Sequence, residues 1–198
     1  MKTLRLLLIG TASLILASGA NAQTAPGAKP ATPAAPVAAP AKAKPYSAGD
    51  THIYLAIADA IQFQLNMSQR LRGKYKEGAP EMLTFAAKIS KESVELFTPG
   101  VDAAMAHGVE GKKIPQDMSK MDKANLAKLG IIKDEKKWEL AFFEFYAKES
   151  KKNAADAEKG AKAAQDADLK AFAEKAAALL KSEAEAIEAK FKELKTKK

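Results

Sequence analysis

"LAFFEFYAKESKKNAADAEKGAKAA", Leu140 to Ala164, is the stretch on which the fold turns. Leu140, Phe143, Ala147, Ser150, Ala154, Ala157, Ala161 and Ala164 recur at alternating spacings of three and four. That period places them on one side of a helix and leaves the lysines and acids between them facing water. The stripe begins with large rings and ends in alanine, so its first half fills a thick layer and its second half lets neighbouring backbones approach closely. A helix of this kind cannot bury its stripe alone and calls for partners. One position breaks the apolar pattern: Ser150, inside the tripeptide Lys-Glu-Ser. The same tripeptide occurs in "KISKESVELF", Lys88 to Phe97, where Ser93 again falls on the apolar side.

The partners follow from the same periodicity. Ser47 or Asp50 caps a first helix running to about Arg72, ahead of Gly73 and Gly78. Its stripe is Ile53, Ile57, Ala60, Gln64, Met67 and Leu71. A second helix starts near Pro80, a residue suited to a first helical position. It carries Met82, Phe85 or Ala86, Ile89, Ser93, Leu96 or Phe97, Val101, Ala104 and Met105. Pro99-Gly100 is expected to kink or briefly end it, and Gly108 to close it. The connection that follows holds a short helix around Ser119 to Leu129. Asp134 caps the third long helix, which contains the opening stretch. Asp166 or Asp168 caps a fourth, from about Leu169 almost to the end, with Ala173, Ala177, Leu180, Ala184, Ile187, Phe191 and Leu194 as its seam. Nothing alternates at period two, so strands are not expected. The fold class is all-α: a four-helix bundle with a short extra helix between helices 2 and 3. The connection carrying that extra helix fits a simple up-down bundle or one crossover, and the pattern leaves both open.

The 198-residue chain begins "MKTLRLLLIGTASLILASGANAQ". Lys2 and Arg5, the short apolar run Leu6 to Leu16 and Ala20-Asn21-Ala22 have the order of a secretory signal peptide cut before Gln23. The expected organisation is a signal peptide over 1–22, an alanine-, proline- and lysine-rich linker over 23–45 and the bundle over 46–198. The apolar run is too short for a membrane span, so no transmembrane segment is expected after cleavage and the address is periplasmic or secreted. Proline recurring every few residues keeps Gln23 to Pro45 from regular helix, and as polyproline II it would reach roughly 70 Å.

The chain contains no cysteine. Disulfides, cysteine-ligated zinc, iron–sulfur clusters and thiol nucleophiles are thereby excluded. Loss of Lys2 and Arg5 leaves 30 basic against 24 acidic side chains, a charge of +6. A basic exported chain suits an anionic envelope polymer or an envelope protein as partner, and export argues against nucleic acid. No Gly-x-Ser-x-Gly and no phosphate-cradling glycine loop occurs. Neither catalytic residues nor a cofactor is expected.

The segments "PEMLTFA", "AHGVEGKKIP" and "DADLKAFAEKAAALLK", in this order behind a signal peptide, resemble the exported bacterial family labelled domain of unknown function 4142, over roughly Tyr46 to Leu194. The resemblance implies a ferritin-like bundle. It also implies an acid followed by histidine in the middle of the second and third helices, a late histidine in the fourth and an inward acid in the first. Those positions fall here on Glu92-Ser93, Glu149-Ser150, near Glu183 and near Gln64. Every imidazole is gone, and no Glu-x-x-His remains for a dimetal site. The serines are expected to bond back to their own helix carbonyls, with Glu92 and Glu149 paired to Lys88, Lys91, Lys148 or Lys152. The core between them is expected to be dry and apolar, with every hydroxyl and amide partnered. The rival reading keeps Glu92, Glu149 and Glu183 as a cluster for a hard cation. Another rival pairs the two histidines, His52 and His107, at one end of the bundle for copper, zinc or haem, with Met105 nearby. Met118 and Met121 have the spacing of a thioether copper site, and as a pair on a short helix they are expected to form its buried face.

Overall fold

The computed structural model describes residues 43–75 and 78–196, so the expected signal peptide and most of the expected linker lie outside the described residues. Five α-helices and one short 3-10 turn make up a helical bundle: α1 (Ala48–Lys74), α2 (Pro80–Ala106), α3 (Lys120–Leu129), α4 (Glu135–Ala163) and α5 (Ala167–Thr196). No strand occurs among the described residues.

Local chemistry sets each boundary. Ser47 accepts the Asp50 amide to start α1, Ser119 accepts the Asp122 amide to start α3, and Asp134 accepts the Lys137 amide to start α4. Asp166 does the same for α5, its Oδ1 accepting the amides of Asp168 and Leu169 at 3.0 Å each. Pro80 stands at the first position of α2, where its missing N–H costs nothing. The end of α2 is a Schellman closure: Gly108, at φ +85°, lets its own amide reach Met105 O and the Val109 amide reach Ala104 O. A side chain with a Cβ would be strained at that φ.

Two expectations about α2 change. The helix runs unbroken through Pro99, which lies on its exposed side. Gly100 beside it is buried because the ring of Phe172 on α5 packs against its bare Cα; a Cβ there would come within 2.4 Å of that ring. Met105, expected on the stripe, is 52% exposed. On the connection, Met118 is buried and Met121 is 73% exposed, so the two sulfurs do not share a face.

The polar contacts between helix ends give the directions. Tyr46 N–H donates to His107 O at 3.0 Å, and Gln165 N–H donates to Asp50 at 2.9 Å. The start of α1, the end of α2 and the α4–α5 turn therefore share one end, the linker pole. Lys74 pairs with Glu135 at 3.2 Å, the Tyr75 hydroxyl donates to Glu139, and Lys190 approaches Glu81 at 3.9 Å. The end of α1 and the starts of α2 and α4 thus lie at the far pole with the end of α5. Helices α1 and α5 run one way, α2 and α4 the other. The segment between α2 and α4 returns the whole length of the bundle, so the connection is one crossover. On its way α3 packs against α4, burying Met118 and Leu126 with Phe63, Met67 and Phe142.

The core is graded. Toward the far pole it contains Phe63, Met67, Leu71, Phe142, Phe143, Tyr146 and Ile187. Toward the linker pole it passes through Ile57, Ile61, Leu65 and Leu180 among Ala154, Ala157, Ala161, Ala173, Ala176 and Ala177, and it closes on Tyr54, Ile114 and Leu169 at the pole itself.

Candidate functional site

Where the large-residue half meets the alanine half, each long helix turns a polar side chain inward. Gln64 comes from α1, Ser93 from α2, Ser150 from α4 and Glu183 from α5, and none of them is more than 2% exposed. Gln64 Nε2 donates to Ser150 Oγ at 3.1 Å, and Ser93 Oγ donates to Glu183 Oε1 at 3.0 Å. The serines therefore bond across helices, which corrects the expectation of bonds to their own carbonyls. The reason is proximity to partners: Gln64 and Glu183 have side chains long enough to reach across the layer, and a carboxyl or amide partner competes well against a backbone carbonyl already in a helical bond.

The layer is not saturated. Gln64 Oε1, Glu183 Oε2 and the Tyr146 hydroxyl are buried without a hydrogen-bond partner among the described residues. This corrects the expectation that every polar core group is partnered. Burial pushes the Glu183 carboxyl up to about 8, with the Glu92 charge adding to the rise and the Ser93 hydrogen bond and Lys88 opposing it. At neutral pH it is a carboxylic acid, able to donate. Burial, with Glu183 nearby, raises the Tyr146 phenol far above its ordinary value.

The residues singled out for an acid cluster differ in their settings. Glu92 and Glu149 stand at the edge of the seam, Glu92 at 3.9 Å from Lys88 and Glu149 at 3.9 Å from Lys152, while Glu183 points inward. His52 is exposed and lines an open groove of about 490 Å³ between α1 and α4, with Asp59, Lys152, Asp156 and Lys159. Burial, then the Asp122 charge on α3, raises the Asp59 carboxyl.

His107 has a different setting. It is 6% exposed at the linker pole, with the Tyr46 ring stacked on it at 4.2 Å between centroids. Its Nδ1 lies 2.6 Å from the Lys44 carbonyl and 3.9 Å from Asp166 Oδ2, and its Nε2 lies 3.4 Å from Asp168 Oδ2. Asp50 completes the acidic side of this pole. The Gln165 amide, more than Ser47, holds its carboxyl below the usual carboxylate range against the cost of its burial. The Tyr46 phenol is pushed up to about 12 by burial and by Asp166, Asp168 and Asp50. Sequence reasoning placed Asp166 and Asp168 only as helix caps. The signal that would have joined them to His107 was the direction of α5 relative to α2, which depends on the crossover.

No family model, no curated protein and no solved structure matches this chain.

Proposed function

We propose that this chain is an exported, non-catalytic bundle of ferritin-like topology that offers its surface and its basic ends to an anionic envelope polymer or an envelope partner. The observation that carries this reading is the cross-helix pairing of Gln64 with Ser150 and of Ser93 with Glu183. The resemblance to the exported family leads one to look for imidazole at Ser93 and Ser150, and both hydroxyls are fully buried and engaged in hydrogen bonds. A neutral serine is a poor metal ligand, and a carboxyl that holds its proton at pH 7 is a hydrogen-bond donor. The single crossover supports the ferritin-like topology, since that is the connection such bundles use.

The charge distribution says where a polyanion would bind. Residues 43–196 have 26 lysines and arginines against 24 acids, whereas Lys29, Lys42, Lys197 and Lys198 stand outside them and add no acid. Across α2, α4 and α5 the lysines are interleaved with glutamate and aspartate, as in Lys91–Glu95, Lys151–Glu188 and Lys159–Asp156. Attraction to a polyanion then resides mainly in the linker and the tail.

Two measurements on the mature chain test this. Cosedimentation with phosphatidylglycerol vesicles is expected to show retention that falls as salt rises, and to drop on removing residues 23–42 or replacing Lys197 and Lys198 with glutamine. Retention indifferent to salt and to both changes rejects the polyanion reading. Metal analysis after iron and manganese loading is expected to find no stoichiometric metal that depends on Glu183. One metal per chain, lost in Glu183→Gln, overturns the non-metal reading of the core.

A further inference from the structure

The linker pole brings together a second set of groups that the proposed surface role does not use. His107 Nδ1 faces the Lys44 carbonyl at 2.6 Å, and a carbonyl only accepts, so Nδ1 carries the hydrogen. In the neutral ring that leaves Nε2 with a lone pair, and what it faces is the Asp168 carboxylate at 3.4 Å. Two electron-pair donors at that separation repel unless they share a positive species, a metal ion or a proton. Two ligands on one tetrahedral zinc, with bonds near 2.0–2.2 Å, stand roughly 3.3–3.6 Å apart, which is the separation found. Asp166 is the third member of the group, its Oδ2 lying 3.9 Å from the other ring nitrogen, Nδ1, so that it joins an ion on Nε2 only by a small movement. Its Oδ1 is fixed by the amides of Asp168 and Leu169, which holds Oδ2 toward the imidazole. One ligand atom from each of His107, Asp166 and Asp168 lies within 4.8 Å of the other two.

The surroundings favour a cation at this point and a soft rearrangement around it. His107 sits at the C-terminal end of α2, where the helix dipole is negative, although the N-terminus of α5 opposes it in part. Asp50 is engaged by Ser47 and the Gln165 amide, and the Lys44 side chain lines the neighbouring depression together with Asp50 and Asp166. The hydrogen bond from Nδ1 to a backbone carbonyl is the outer-shell contact that orients a metal-binding histidine and raises its basicity. Asp168, whose side chain is 79% exposed, leaves the site open on one side for entry and for water as a fourth ligand.

We infer that His107, Asp166 and Asp168 form a binding site for one divalent transition-metal ion of the zinc class, which ties the end of α2, the start of α5 and the root of the linker together. The inference lies apart from the core layer, and a structural ion at this pole leaves the surface-presenting role unchanged. The rival occupant is a proton, which would turn the same contacts into an imidazolium–carboxylate pair.

Zinc and cobalt chloride titrated into the full mature chain distinguish the two. Calorimetry is expected to give one zinc per chain, and cobalt to give the intense visible bands of a four-coordinate nitrogen–oxygen site. Asp168→Asn, a change at an exposed position that leaves folding intact by circular dichroism, is expected to weaken binding roughly tenfold or more. His107→Gln is expected to abolish it, and His52→Gln and Glu183→Gln to leave it unchanged. Absence of zinc heat and cobalt bands up to about 1 mM metal overturns the site. So does binding that survives Asp168→Asn and His107→Gln, or binding lost in His52→Gln.

Discussion

The two halves of the bundle are held together by different means. Toward the far pole, rings meet edge to face, with Phe63–Tyr146 centroids at 5.9 Å and Phe142–Phe143 at 5.7 Å. Toward the linker pole, α4 and α5 meet through alanines, and a glycine on α2 receives the Phe172 ring directly. The first half gains stability from the volume of its side chains, the second from how closely its backbones approach. One half should then be sensitive to losing atoms and the other to gaining them. The polar layer lies at the change-over, where Gln64, Ser93, Ser150 and Glu183 take inward positions.

The largest effect is expected from Phe143→Ala in the ring-filled half, about 3–5 kcal/mol by chemical denaturation. A loss well below this would mean that the thick half collapses around the gap and that the contrast is shallow. Next comes the boundary itself. Glu183 holds its proton more tightly in the folded chain, at about 8 against 4.5 for an ordinary glutamate. Between those values the unfolded chain has released a proton that the folded chain keeps, so stability is full below about pH 4.5 and declines as pH rises to about 8. The decline is expected to amount to a few kcal/mol in urea titrations across that range. Glu183→Gln is expected to flatten it; a variant with the same slope as the parent would show that the carboxyl is not the titrating group.

In the alanine half, Ala173→Leu at a fully buried position is expected to cost about 1–3 kcal/mol, although it adds apolar surface. A neutral or stabilising result would show slack where the backbones were argued to be close. The smallest and most discriminating change is Gly100→Ala. In an ordinary helix interior this gains about 0.5–1 kcal/mol. Here the new methyl meets Phe172, which is itself packed on Tyr54 at 5.7 Å, and a net loss of about 1 kcal/mol is expected in thermal melts.

Most of the helical skeleton was legible in the residues. Periodicity placed Ile57, Gln64, Ser93, Ser150, Ala157, Ala173 and Leu180 on inward faces, and all of them are buried. Capping chemistry found Pro80 and Asp134 and narrowed the other two starts to Ser47 or Asp50 and to Asp166 or Asp168, because such signals are local. What periodicity does not encode is which neighbour an inward residue meets. That is why Ser93 and Ser150 were given their own carbonyls when Gln64 and Glu183 stood across from them. Glu183 precedes Ala184 of the seam by one position, so a small turn of α5 decides whether it faces lysines or the interior. The His107–Asp166–Asp168 group was hidden for a larger reason: its members are about sixty residues apart and meet only because the chain crosses over before α4. Met105 and Met121 fit apolar spacings close to helix ends, where the partner face has run out.

The crossover also fixes how the molecule would bear load. Because α1 and α5 point the same way, the chain enters the bundle at one pole and leaves it at the other, separated by the length of α5, about 45 Å at 1.5 Å per residue. Tension applied between Tyr46 and Thr196 pulls α1 and α5 in opposite directions along their shared axis. Such tension slides helices past one another and strains every packing layer together, where a bundle with both ends at one pole would peel open one turn at a time.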